Sequence, residues 1–239
     1  MFLKLFMLII VICFPGIFFM LRTEKKLLSE EDEEITDLQR LVIHFTTVAL
    51  FAALGAFTVP RVTLLTTTID TMSLLSYGVI GGVICSIGNI VFYYFYLKRR
   101  IPHKDYVAIE KHYRNMGILT RIFYGGFIEE IIFRWGIMGL LLWLCQFIFS
   151  EYHIFPIILA LSVSSMLFAL VHVPSIKVVI EHPPKSVYVY TYIGNIWVGF
   201  FTGIAFIESG IFAAIIVHIL FHLLWYPVQL ILTSKEIPK

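Results

Sequence analysis

Seven times along its 239 residues the chain returns to an apolar run of bilayer length. The runs are Phe2–Leu21, Leu41–Val59, Met72–Leu97, Ile122–Phe149, Phe155–Val173, Tyr190–Ile207 and Ile211–Leu232. A helix of about 20 residues crosses the ~30 Å hydrocarbon core, so each run reads as a transmembrane helix. Composition agrees: 59% of residues are hydrophobic and only 14% charged, where a soluble domain carries about 25% charged residues. The expected fold is an all-α polytopic transmembrane helical bundle of about seven spans. Lys4 stands ahead of the first run and Arg22, Lys25 and Lys26 behind it; no small-residue cleavage pattern follows, as it would in a signal peptide. Cys13, Cys85 and Cys145 lie singly in apolar runs, with no CxxC or Cys/His spacing, which argues against a disulfide frame or a thiolate metal site. No basic patch is interleaved with aromatics, so no nucleic-acid partner is expected.

Inside the fourth run stand Glu129, Glu130 and Arg134. A charge at membrane depth costs at least ~2.5–3.5 kcal/mol, so such groups face the protein interior and have a job there. Glu130 and Arg134 are four residues apart, on one helix face, and can pair. Glu129 lies roughly 100° round the helix from Glu130. A pair that only fixes packing accounts for Glu130 and Arg134 and leaves Glu129 free for chemistry. Gly125-Gly126, just ahead, is expected to break or bend the start of this run.

Several other features are read structurally. Gly78, Gly81, Gly82 and Gly88 in the third run and Gly199 and Gly203 in the sixth suit close helix contacts. Tyr93, Tyr94 and Tyr96 read as an interfacial belt, Asn195 as a buried polar group, and His44 as an interfacial or hydrogen-bonded histidine. Ser29–Asp37 is an acidic, solvated connector. Lys98–Arg121 is a basic connection. Placing it in the cytoplasm with the Arg22–Arg40 connection, the Lys177/Lys185 loop and the Lys235/Lys239 tail leaves only Lys4 and Arg61 outside. The positive-inside rule then sets the amino terminus outside a cell membrane and the carboxyl terminus in the cytoplasm.

The remaining ionisable groups of the carboxyl-terminal half are His172, His218 and His222, the last two at i and i+4. A carboxylate and an imidazole can together orient and deprotonate a water. A further histidine can donate to the oxyanion formed when that water attacks a carbonyl. Such a set hydrolyses a peptide without a serine or cysteine nucleophile. His218 and His222 also have the spacing of a zinc pair, which His172 and Glu129 could complete, although Ile219 rules out the HExxH pattern.

These residues carry a resemblance to the CAAX prenyl protease and bacteriocin-processing (CPBP, or Abi) intramembrane proteases. Glu129-Glu130-x-x-x-Arg134 resembles the EExxxR motif, and Trp135-Gly136 follows it. Phe168-x-x-x-His172 resembles FxxxH. Ser209-Gly210 through His218 looks like the family's third motif, an HxxxN or HxxxD helix preceded by a small-residue turn. The similarity spans roughly Gly117 to Trp225. It implies Glu129 as general base, His172 as its water-binding partner and His218 as oxyanion donor, with Glu130 and Arg134 supporting. His222 stands where the family has Asn or Asp and would substitute as the second donor.

The resemblance divides the chain into amino-terminal helices with the basic connection (1–116), a catalytic helical core (117–232) enclosing the active site within the bundle, and a short tail (233–239). It implies a metal-free endopeptidase, zinc being the less favoured reading. The partners are membrane lipid and a peptide or protein substrate, whether lipid-modified or bacteriocin-like. Two readings from other classes stay open: a non-catalytic bacteriocin self-immunity or scaffold protein of the same fold, and a proton-coupled transporter. Against the transporter stand the few spans and the absence of repeated halves.

Overall fold

The structure, a computed structural model, describes residues 1–27, 35–65, 70–149 and 154–234. Among these residues there is no strand. Among the described residues six helices are long and apolar enough to cross a membrane: α1 (Phe2–Leu27), α2 (Asp37–Arg61), α3 (Thr71–Leu97), α4 (His103–Ile148), α5 (Ile154–Val179) and α6 (Lys185–Thr233). The protein is a multi-pass, all-α membrane bundle. The acidic stretch 30–34 and the Lys235/Lys239 tail lie outside the described residues.

Six is one fewer than the sequence suggested, and the difference lies at Gly210. At φ 76°, ψ −174°, this glycine interrupts the 49-residue α6, in a region of backbone space that L side chains rarely occupy. Across α3, Trp197 of the first limb (185–209) meets Gly88 and Phe201 meets Gly81. In the second limb (211–233), Ile216 meets Gly78, Val217 meets Gly81 and Leu220 meets Gly82. The first limb therefore runs antiparallel to α3 and the second parallel to it. Gly210 is the tip of a helical hairpin, and the chain makes the two expected passes without a loop between them.

A second glycine, Gly117 at φ 71°, breaks α4. What the sequence offered as a basic connection is helical from His103 to Thr120, and its last member, Arg121, is 2% exposed. Beyond the break α4 lies between two apolar clusters. Ile128, Ile131, Trp135 and Met138 pack with α1 and α2, while Phe133 packs with α3, α5 and α6. Glu130 falls between two stretches of wide, π-type turns, Arg121–Glu129 and Ile131–Met138, a distortion that recurs at functional sites.

Capping is locally encoded. Thr36 and Gln39 form a reciprocal box at the start of α2. The Asp70 carboxylate accepts the Ser73 N–H at 2.8 Å at the start of α3. That bond holds the Asp70 carboxyl below its ordinary range.

Small residues set the helix spacing, as they must where lipid removes the hydrophobic drive between helices. Gly199 and Gly203 lie against Ser165 and Leu161 of α5. Tyr93 departs from the expected interfacial belt: it is fully buried and donates to Glu110 at 2.7 Å. Asn195 is half-buried and satisfied by Thr191 O.

The tightest of these contacts generates a stability prediction. A Cβ at Gly55 would come within 2.0 Å of the Trp135 ring, whereas one at Gly81 would find its nearest neighbour at 3.7 Å. Gly55→Ala should lower thermal stability in detergent, overpacking costing about 1–3 kcal/mol. Gly81→Ala should leave it unchanged or raise it, since Ala is favoured over Gly in a helix by up to ~1 kcal/mol. Equal melting temperatures for the two variants would refute this packing.

Candidate active site

The three histidines and the two glutamates arrive from three helices. Glu129 and Glu130 come from α4, His172 from the junction in α5 where the helix ending at Val171 gives way to the short helix Val173–Val179, and His218 and His222 from the second limb of α6. Pro174 lies in the first turn of that short helix, where a residue without an N–H is tolerated. The α5 break therefore falls at His172.

Glu130 and Arg134 are both fully buried and meet at 3.3 Å, as their spacing suggested. The Arg134 nitrogens are out of line for hydrogen bonds. The contact is thus a charge pair rather than a bidentate bridge, with the guanidinium 4.7 Å over the Phe168 ring. The other Glu130 oxygen lies 2.7 Å from His218 Nδ1. A paired, ionised carboxylate only accepts, so Nδ1 carries the proton. His172 is fixed in the same way: its Nδ1 lies 2.7 Å from Phe168 O, a carbonyl that can only accept. In their neutral forms both rings therefore direct the Nε2 lone pair elsewhere, and that direction is Glu129.

Glu129 Oε1 stands 3.8 Å from His172 Nε2, and Oε2 stands 3.8 Å from His218 Nε2. Both gaps are too long for a direct hydrogen bond. The Glu129 side chain is 19% exposed, against 0% for Glu130. The two adjacent carboxylates thus have different surroundings, one sealed and paired, the other open to a cavity of about 670 Å³ that also borders His172, His218 and His222. His222 stacks on His218 with centroids 5.0 Å apart, and its Nδ1 has no hydrogen-bond partner. Its Nε2 lies 2.9 Å from where a Gly125 Cβ would be, so a glycine is needed there to floor the site.

All six residues singled out from the sequence converge on this region. Among the described residues no three His, Cys, Asp or Glu side chains have metal-ligand geometry. His44 keeps to its expected hydrogen-bonded role, but its partners escaped the sequence reading, as did the place of Arg121. His44 is hydrogen-bonded, to Glu24 at 3.1 Å and to the Tyr124 hydroxyl at 3.2 Å, and Tyr124 borders the cavity. Nothing in the spacing of residues 24, 44 and 124 signals that contact. Arg121 also borders the cavity, although the sequence places it only at the end of a basic connection in the cytoplasm.

No curated protein and no solved structure matches the chain. A family model does, that described as type II CAAX prenyl endopeptidase Rce1-like, over residues 114–224. That span holds Glu129, Glu130, Arg134, His172, His218 and His222 and leaves out α1, α2 and α3. The resemblance carried by the three motifs therefore has independent support: residues 114–224, a little under half of the chain, are similar to the Rce1-like, type II CAAX prenyl endopeptidases.

Proposed function

We propose that the protein is an intramembrane endopeptidase that hydrolyses a peptide bond with a water activated by Glu129 and His172. The observation that carries this reading is the matched pair of 3.8 Å gaps between Glu129 and the Nε2 atoms of His172 and His218. A gap of that size between a carboxylate and an imidazole lone pair suits a bridging water, whose two protons both groups can accept. The water's oxygen is then left to face the substrate.

On attack, the water oxygen bonds to the peptide carbonyl carbon and its proton passes to Glu129. The carbonyl oxygen becomes an oxyanion. To donate to it from Nε2, His218 needs a second proton, taken up from solvent before the attacking water is held between Glu129 and His172; its Nδ1–H stays on Glu130. His222 supplies the second donor. Glu129 then returns the proton to the amide nitrogen as the C–N bond breaks, so no covalent intermediate forms. Glu130 and Arg134 act through His218 as positioning residues. Substrates on this reading are peptides that reach the cavity from the membrane, with prenylated or bacteriocin-like chains as the candidates. The apolar cavity walls suit a lipid-modified or strongly apolar peptide. We take the Lys98 end of α3 as cytoplasmic, from the positive-inside rule.

Three measurements test the proposal. Glu129→Gln should fold as the parent does and lose turnover of a peptide library in detergent. Glu130→Gln and Arg134→Leu should lose stability as well, since removing one member of a buried pair costs about 3–5 kcal/mol. Near-normal cleavage by Glu129→Gln would refute the assignment.

His222→Ala should lower the rate by about 10²–10³, the usual cost of an oxyanion donor. His222→Asn, an alternative donor of similar reach, should keep most of the activity. If both variants fail and a chelator inactivates the parent, a zinc mechanism replaces this one, because Asn is a poor zinc ligand.

Cysteines introduced at Lys104 and Asp70 should differ in intact cells, the second reacting with an impermeant label and the first not. The reverse pattern would invert the topology.

A further inference from the structure

Apart from the catalytic candidates, a chain of three polar side chains joins α1, α2 and α4 at the cavity wall. His44 Nε2 lies 3.1 and 3.2 Å from the two oxygens of Glu24, and its Nδ1 lies 3.2 Å from the Tyr124 hydroxyl. Glu24, in the last turn of α1, is 30% exposed and His44 only 14%. Both stand outside the span matched by the family model. A carboxylate only accepts, so neutral His44 carries its proton on Nε2 and offers a lone pair at Nδ1. The single proton of the Tyr124 hydroxyl is then donated to Nδ1. Met20, four residues before Glu24, and Thr47 and Phe51, three and seven after His44, border the cavity, as does Tyr124 itself. Residues at those spacings share a helix face, so the chain lies in the wall and not behind it. Tyr124 and Glu129 are five residues apart, which is roughly 140° round an α-helix. The π-type turns of Arg121–Glu129 close from i to i+5 instead and bring such residues onto one side. The Tyr124 hydroxyl accordingly lies in the field of both Glu24 and Glu129.

With its proton spent on His44, Tyr124 offers the cavity lone pairs only, one helical turn from the Glu129 carboxylate. A group that enters between two acceptors has to donate. An extended peptide brings such a donor at each residue other than proline, the backbone N–H. We propose that Tyr124 is a substrate-binding residue that accepts a backbone N–H of the peptide close to the scissile bond. His44 and Glu24 are positioning residues that keep its hydroxyl in the accepting state. The proposal rests on the endopeptidase reading of the same cavity and adds how the peptide is held there. One helical turn is about 5.4 Å long and an extended residue covers ~3.3–3.6 Å. The N–H therefore belongs to a residue one or two places from the bond that faces Glu129. In this arrangement α1 and α2 set the polarity of a group on α4. Without the imidazole the hydroxyl is free to rotate and present its proton, and the same N–H then meets a donor.

The test takes a peptide selected from a synthetic library by its retention on full-length Glu129→Gln protein in detergent. Its backbone amides, the scissile one excepted, are replaced one at a time by esters, which put an oxygen where the N–H was. With the parent protein, the ester at one position within two residues of the cleaved bond should lower kcat/KM by about 3- to 10-fold, the range of a neutral hydrogen bond. In Tyr124→Phe and in His44→Ala the same replacement should matter by less than about twofold. Such coupling between one peptide position and one side chain is not produced by a residue that only ties helices together. The two variants report separately, so if one fails to fold the other decides. Retention of the ester series by Glu129→Gln protein, with Tyr124 present or replaced by Phe, reads the same coupling without turnover. If the coupling is found there while no peptide is hydrolysed, the subsite stands and the endopeptidase reading alone fails. The proposal is overturned if no position shows a penalty in the parent, or if the penalty persists in Tyr124→Phe. It is also overturned if the penalty survives in His44→Ala, or if an ester improves binding, which would mean that Tyr124 presents its proton to the cavity.

Discussion

One carboxylate, that of Glu130, holds the site together from a position sealed against solvent. It meets Arg134 on its own helix and His218 on the second limb of α6. At membrane depth neither partner could be left alone, because an uncompensated charge in a low-dielectric interior is far more costly than the pair. The consequence is more than cohesion. Accepting from His218 Nδ1, Glu130 fixes which ring nitrogen faces the cavity, much as the Phe168 carbonyl does for His172. Two rings are thereby aimed at a third group, Glu129, that makes no direct hydrogen bond to either. The unspent reactivity of Glu129 depends on its neighbour being fully engaged.

Much of this was legible in the sequence, for a reason tied to the solvent. In an apolar run every ionisable residue is conspicuous, so Glu129, Glu130, Arg134, His172, His218 and His222 could be found one by one. The i, i+4 rule assigned Arg134 to Glu130, and the Ser209-Gly210 pair announced the turn before His218. Arg121 was harder. It stands last in a basic connection placed in the cytoplasm, with no sign of a site, yet that end of α4, on both sides of the Gly117 break, lines the cavity. The Glu24–His44–Tyr124 contact was invisible, because it joins three helices at separations that no periodicity encodes.

Glycines explain how the groups come to meet. Helices in lipid gain little from burying apolar surface against one another, so their approach is set by where side chains are missing. Gly78, Gly81, Gly82 and Gly88 open α3 to both limbs of α6, while Gly199 and Gly203 open the first limb to α5. Gly125 does the same inside the site, where His222 lies over it. The histidines of α5 and α6 thus reach Glu129 through a series of close backbone approaches, and α1 and α2 brace α4 from the other side by way of Gly16 and Gly55.

The reversal at Gly210 has a mechanical meaning. A hairpin closed by a single residue has no slack, so one limb cannot slide along its axis without dragging the other. Both limbs are also keyed into the same glycine face of α3. The strand of helix that bears His218 and His222 is therefore a stiff jaw, held at its tip and along its length. His172 sits on a different kind of support, a joint between a long helix and a seven-residue one. Of the two walls flanking Glu129, one is built as an anvil and the other as a latch.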